Sequence, residues 1–335
     1  MTPRIRFLLI TVSLASAAPG TAMAAGPVCD AVWHDSARNR DIPIRIRMPQ
    51  GSAKAPVILF SHGLGGSLDG GTLWGQAWAD AGFVVIHLQH PGSDRSILSD
   101  GDGGGGKLRM LRRMRSSGDS GDIGGVLRAA MTPEQLDARV ADVKFVLDQL
   151  PKRALEGRCA ITRIDTAHIG MSGHSFGAHT TQALAGQTFA KTTAATAEPR
   201  ISASIAFSPS PPSQGSDAQA TAKMAKPFFT ITGTQDTTPA ASGVSAADRE
   251  RPFRAMPAGD KYLLVLNGAT HADFSGNTGG LKRKAPSEHL RTAVIETSIA
   301  FWRWTLLGDR TAEVALDDPK GLESRLAAGD RLERR

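Results

Sequence analysis

The segment Ile169-Gly170-Met171-Ser172-Gly173-His174-Ser175-Phe176-Gly177-Ala178-His179 decides how the rest of the chain is read. It joins an apolar run, Ala167 to Met171, to a small-residue helical pattern through Ala178, Ala183, Leu184 and Ala185, with a glycine-flanked serine between them. A Gly-x-Ser-x-Gly turn between strand and helix is so tight that only glycine fits two residues before and two after the serine. Its consequence is a hydroxyl exposed at a helix N-terminus. The bare pattern also arises by chance in a chain with 36 glycines, where it marks no more than a helix packed on a strand. Its surroundings give it weight.

Upstream, Pro56-Val57-Ile58-Leu59-Phe60 is an unbroken apolar run, the pattern of a strand buried on both faces. It leads directly into Ser61-His62-Gly63-Leu64-Gly65-Gly66-Ser67. A glycine-rich turn at the end of a buried strand can point backbone N–H groups into a cleft, as one half of an oxyanion hole requires. Leu73, Trp74, Ala77, Trp78 and Ala81 keep helical spacing up to Gly82, and Phe83 to Leu88 is the next buried strand. Before these, Asp41 to Met48 alternates Ile42, Ile44 and Ile46 with Pro43, Arg45 and Arg47, a half-exposed strand expected at a sheet edge. Strand, helix, strand in succession predicts an α/β protein with a mostly parallel, doubly wound sheet.

The N-terminus carries Arg4 and Arg6, an apolar run from Phe7 to about Ala18, and Ala22-Met23-Ala24. This is the succession of a secretory signal peptide, with cleavage expected after Ala24. The run is too short to span a bilayer. A single domain is expected over residues 25–335, because no linker or internal repeat divides the chain. Without Arg4 and Arg6, 37 basic residues face 32 acidic ones. So mild an excess, with no interleaving of basic and aromatic residues, does not indicate nucleic-acid binding. Nothing in the sequence supports contact with a membrane surface. The only cysteines, Cys29 and Cys159, predict one disulfide in an oxidising compartment, and two are too few for a cysteine metal site.

Residues 93–131 break the α/β pattern with five glycines between Asp100 and Lys107 and a basic stretch from Lys107 to Arg115. They are read as an insertion over the C-terminal edge of the sheet, a lid or a solvated loop. Regular structure resumes at Thr132-Pro133, an N-cap followed by proline at the first helical position. Leu136, Val140, Val143, Val146, Leu147 and Leu150 form the buried stripe of that helix. Beyond the serine turn, strands are expected over 201–207, 227–232 and 261–267, and a long helix over 288–304. The charged tail, 308–335, is expected to form short surface helices.

A serine hydroxyl becomes a nucleophile when an imidazole takes its proton and a carboxylate orients that imidazole. His271 follows a strand in a loop, whereas His289 lies inside an amphipathic helical pattern, so His271 is the candidate base. Asp236 stands just past an apolar strand. Asp217, Asp248 and Asp260 fall in a loop, a helical pattern and a strand approach, which leaves Asp236 as the candidate acid. The order Ser175, Asp236, His271 is that of an α/β-hydrolase.

His62-Gly63-Leu64-Gly65, Gly173-His174-Ser175-Phe176-Gly177, Thr232-Gly233-Thr234-Gln235-Asp236 and His271 with Phe274-Ser275-Gly276 resemble the α/β-hydrolase superfamily. More narrowly, they resemble its dienelactone hydrolase and platelet-activating-factor acetylhydrolase-like branch, over roughly residues 28 to 310. The resemblance implies an α/β-hydrolase fold, with Ser175 as nucleophile, His271 as base and Asp236 as orienting acid. It also implies the backbone N–H groups of Leu64 and Phe176 as the oxyanion hole. The chain departs from the family at two points. Dienelactone hydrolases use a cysteine nucleophile, and the acetylhydrolases place the acid one strand earlier, where this chain has Ser208-Pro209. Ester hydrolysis is compatible with both departures. The expected protein is an exported serine esterase acting on a small-molecule ester, with no metal and no cofactor. Lactonase, thioesterase or amidase chemistry and a non-catalytic binding protein on the same fold remain as alternatives.

Overall fold

The computed structural model describes residues 26–98, 131–152, 159, 163–189, 196–212, 215–238, 243–277 and 285–335. The expected signal peptide, most of the insertion and parts of five loops therefore lie outside the described residues. The described residues form a mixed α/β protein around one nine-stranded sheet. Its strands are β1 (Val28–Asp35), β2 (Arg40–Arg47), β3 (Ala55–Ser61), β4 (Val84–Leu88), β5 (Ile164–His174), β6 (Ile201–Phe207), β7 (Phe228–Gln235), β8 (Lys261–Thr270) and β9 (Arg331–Arg334). The spatial order is β1-β2-β4-β3-β5-β6-β7-β8-β9. From β4 to β8 all neighbours are parallel, while the β1–β2, β2–β4 and β8–β9 ladders are antiparallel.

Helices cover both faces, as a mostly parallel sheet requires. On one face α1 (Thr72–Asp80) and a long helix (Glu288–Leu307, α6 below) bring Trp74, Trp78, Phe301 and Trp302 against Phe60, Phe207 and Phe229. The Trp78 indole N–H is satisfied by Ser298 Oγ at 2.9 Å, so the large ring is buried at no cost in hydrogen bonding. On the other face α2 (Pro133–Gln149) lays its expected stripe on β3, β4 and β5, and its Thr132 side chain accepts from Gln135 N–H. Beside it lies α3 (Phe176–Leu184), which starts at the serine turn. The remaining α-helices among the described residues are α4 (Asp217–Thr221), α5 (Ala246–Ala255) and α7 (Arg310–Asp317).

Two expectations change. The strand around Ile44 is not the sheet edge, because β1 pairs along its whole outer side. Along β1, Val28 and Val32 share the exposed side with Asp30 and His34, so apolar residues on both faces hide the alternation. The tail is only partly helical. After α7 it returns to the sheet as β9, where Leu332 pairs with Leu264 and is buried. One apolar residue in a four-residue strand is too little pattern to announce a strand.

Cys29 on β1 and Cys159 form a disulfide, with Cα atoms 6.2 Å apart and a sequence separation of 130. The expected pairing is thus present, and it ties the sheet edge to the approach to β5. Replacing both cysteines by serine should cost about 2 to 4 kcal/mol, chiefly by releasing the unfolded chain. Urea unfolding of the variant at neutral pH measures this; an unchanged midpoint would show that the edge strand is already held by its ladder.

Candidate active site

The strand-to-helix turn at Ser175 is built by exclusion. Ser175 has φ 56° and ψ −114°, a strained backbone for a residue with a side chain. The packing around it leaves no room for a Cβ at the flanking glycines. A methyl on Gly173 would lie 2.4 Å from Gly177 O, and one on Gly177 would lie 1.9 Å from Ser61 O. The glycines therefore let the turn press against the end of β3, which carries the Gly63–Gly66 loop. Gly177→Ala should cost about 3 kcal/mol or more, since both clashes are with backbone. A variant whose urea midpoint matches the parent would contradict that packing.

Ser175 follows β5, Asp236 follows β7 and His271 follows β8, so all three stand at the carboxyl edge of the parallel strands. Such an edge collects functional groups because the loops there share one rim. Ser175 Oγ lies 2.9 Å from His271 Nε2, and His271 Nδ1 lies 2.8 Å from Asp236 Oδ1. An ionised carboxylate only accepts, so Nδ1 carries the proton and Nε2 is left to accept from the serine hydroxyl. Asp236 is fully buried, whereas the His271 side chain is 18% exposed. The candidate acid is shielded and the candidate base reaches the solvent-facing cleft.

Burial opposes ionisation of Asp236, but the His271 hydrogen bond and the Arg249 charge outweigh it and hold the carboxyl below its ordinary range. Its second oxygen accepts from Thr232 Oγ1 at 2.8 Å. Arg249 comes from α5, buried, with Nε 3.5 Å from Asp236 Oδ1. Its Nη1 donates to Ser208 O, Pro209 O and Ser210 Oγ at 3.1, 2.9 and 3.0 Å. One guanidinium thus ties the acid to the loop after β6, where Ser208 itself holds φ 54°.

His174 lies inside the serine turn, and the sequence assigns it no role of its own. Its Nε2 donates to the carbonyl of His271 at 2.9 Å, and its ring lies 4.7 Å from the His271 ring. Burial keeps it neutral, so it holds the His271 backbone in place as an uncharged donor. The rejected candidates have structural partners instead. Asp217 pairs with Arg251, Asp248 closes the capping box of α5, Asp260 sits in a left-handed turn, and His289 pairs with Asp330.

Ser175 and His271 open on a cleft of about 420 Å³, whose walls include the Gly63–Ser67 loop, Arg95, Met131, Thr238 and Asn277, while Asp236 lies behind them. Ser93 to Arg95, the described start of the insertion, fastens to that loop. Gly65 N–H donates to Ser93 O and Arg95 N–H to Gly66 O, at 2.9 and 3.0 Å. Residues 99–130 of the insertion lie outside the described residues. Leu64 and Phe176, the expected oxyanion donors, begin the loop after Gly63 and the helix after Ser175. Neither N–H donates to an acceptor among the described residues. Among the described residues no cluster of His, Cys, Asp or Glu could hold a metal ion, and no helix is long and apolar enough to cross a membrane.

A scan against protein-family models finds none that matches this chain, and a search of curated proteins finds no match either. The functional reading therefore rests on the residues and their geometry.

Proposed function

We propose that this chain is a serine hydrolase of the α/β-hydrolase superfamily, resembling its dienelactone hydrolase and acetylhydrolase-like branch, that cleaves a carboxylic ester. The observation that carries the reading is the hydrogen-bonded chain Ser175 Oγ, His271 Nε2, His271 Nδ1, Asp236 Oδ1 at the wall of a cleft. In this reading His271 Nε2 takes the Ser175 proton as Oγ attacks the ester carbonyl. The Leu64 and Phe176 N–H groups receive the oxyanion. Collapse breaks the bond to the alcohol oxygen, which leaves with the proton from His271. Water then attacks the acyl-serine by the same route, with His271 again as base, and releases the acid. No metal and no cofactor enters these steps.

The same geometry serves thioesters and amides, which differ in the leaving atom, and lactones, whose leaving oxygen is tethered to the acyl group. A carboxylic ester is the class that the resemblance to the dienelactone hydrolase and acetylhydrolase-like branch favours. A protein exported to the periplasm or beyond fits the disulfide and the N-terminal sequence pattern. The test is a fluorophosphonate probe on the purified mature protein, followed by p-nitrophenyl esters of increasing acyl length. Labelling of Ser175 with turnover of short or medium esters is the expected result. A folded protein that takes no label would favour a binding protein built on the same scaffold.

A further inference from the structure

A second set of buried polar groups lies behind the Gly63–Gly66 loop, separate from the three residues above. His62, which opens the loop, is 1% exposed. Its Nε2 accepts from the backbone N–H of His90 at 3.0 Å. A ring nitrogen that accepts carries no proton, so the proton of the neutral ring is on Nδ1. Nδ1 is 2.6 Å from the carbonyl oxygen of Gly63 and donates to it. Gly66 N–H donates to the same oxygen at 3.0 Å.

That carbonyl belongs to the same planar unit as the N–H of Leu64, and in a trans peptide the two point in opposite directions. Fixing Gly63 O therefore fixes the direction of Leu64 N–H. The unit adjoins the nucleophile, for a methyl on Gly63 would lie 3.4 Å from Ser175 Cβ. His90 is itself immobilised. Its Nδ1 donates to Asp142 Oδ2 and its Nε2 accepts from Ser61 Oγ, each at 2.9 Å, and all three residues are fully buried. Arg139, one turn of α2 before Asp142, donates to the carbonyl of His62 and to Ser93 Oγ. The side chains of His62, His90, Ser61, Asp142 and Arg139 thus hold one loop from behind, and none of them touches Ser175, His271 or Asp236 through a hydrogen bond among the described residues.

We propose that His62, locked as its Nδ1–H tautomer by the His90 backbone, is a positioning residue that sets the direction of the Leu64 N–H toward the developing oxyanion. The proposal rests on the serine hydrolase reading for its kinetic consequence but not for its structural one. His62→Phe keeps a ring and loses the donor; His62→Asn keeps a donor close to the Nδ1 position. On an ester that the parent enzyme turns over, His62→Phe should lower kcat by roughly 10- to 100-fold, less than or equal to the loss of a whole oxyanion donor, with KM within about threefold. Binding of a trifluoromethyl ketone, which mimics the tetrahedral adduct, should weaken in step with kcat/KM. His62→Asn should recover most of the loss. A kcat within threefold of the parent in His62→Phe, a change confined to KM, or no difference between the Phe and Asn variants would overturn the proposal. Nitrogen NMR of the imidazoles in the unmutated protein tests it whether or not the variants fold. His62 should be protonated at Nδ1, and a proton on Nε2 would overturn it. If the parent protein hydrolyses no ester while His62 shows the Nδ1–H form, the hydrolase reading fails and the brace stands as a structural feature only.

Discussion

Ser175→Ala and His271→Ala should each lower kcat on a p-nitrophenyl ester by roughly 10⁴ to 10⁶, and the double variant should be little worse than either. The non-additivity is the informative part. Ser175 Oγ and His271 Nε2 share one hydrogen bond, so removing either partner removes the same proton transfer. Asp236→Asn should cost less than either alanine, because the amide still fills the buried site but can favour the wrong His271 tautomer. Asp236→Ala should be close to inactive. If Asp236→Ala kept full activity the acid would lie elsewhere, and Asp217, already committed to Arg251, would be the next to replace. Stopped assays on purified variants of matched thermal stability separate a loss of chemistry from a loss of fold.

Stability should collapse in mild acid, before most carboxylates titrate. His62, His87, His90 and His174 are all buried, and burial pushes each ring well below its ordinary pKa, His87 to about 3 and His90 to about 4. In the unfolded chain the same rings take up a proton near pH 6.5. Where the unfolded state binds more protons, stability rises with pH, so these four groups contribute full stability above about pH 6.5 and lose it as pH falls below that value. One pH unit below it, each costs roughly 1 kcal/mol and the four together several, a large share of the whole stability of an ordinary domain. Asp142 works in the same direction at lower pH. Burial opposes its charge, but His90 and Arg40 hold its carboxyl down at about 2, so its contribution disappears as pH falls from about 4 toward that value. Urea unfolding at pH 7.5, 6.5 and 5.5 should therefore show a midpoint that drops steeply over the last interval. A midpoint unchanged between 7.5 and 5.5 would mean that the rings are hydrated or already charged in the folded protein.

The parts of this protein that its sequence determines are those whose signals are local. Buried strands such as β3 and β4 are unbroken apolar runs, and a parallel sheet leaves each of them covered on both faces, so the pattern can be read without knowing its neighbours. Ser175, Asp236 and His271 are legible as candidates because each stands in a short loop directly after such a run, and a parallel sheet brings those loops to one edge whatever the order of its strands. The two cysteines were the only pair available.

What surrounds the site was settled only by the tertiary structure. Arg139 and Asp142 lie on α2 beside its apolar stripe, where periodicity reads any charge as solvent-facing. Both are fully buried, and their partners His62 and Arg40 are 77 and 102 residues away in the chain. Arg249 is the same case, a helical arginine whose contacts to Ser208, Pro209 and Asp236 exist only after α5 docks on β7. A buried charge is tolerated when oppositely charged or accepting groups meet it, and those groups are chosen by the packing of distant elements. Strand β9 and the true sheet edge at β1 depend likewise on pairing partners, Leu264 for Leu332 and Ile42 for Trp33. A sequence pattern records which faces of an element are apolar; it does not record which other element will cover them.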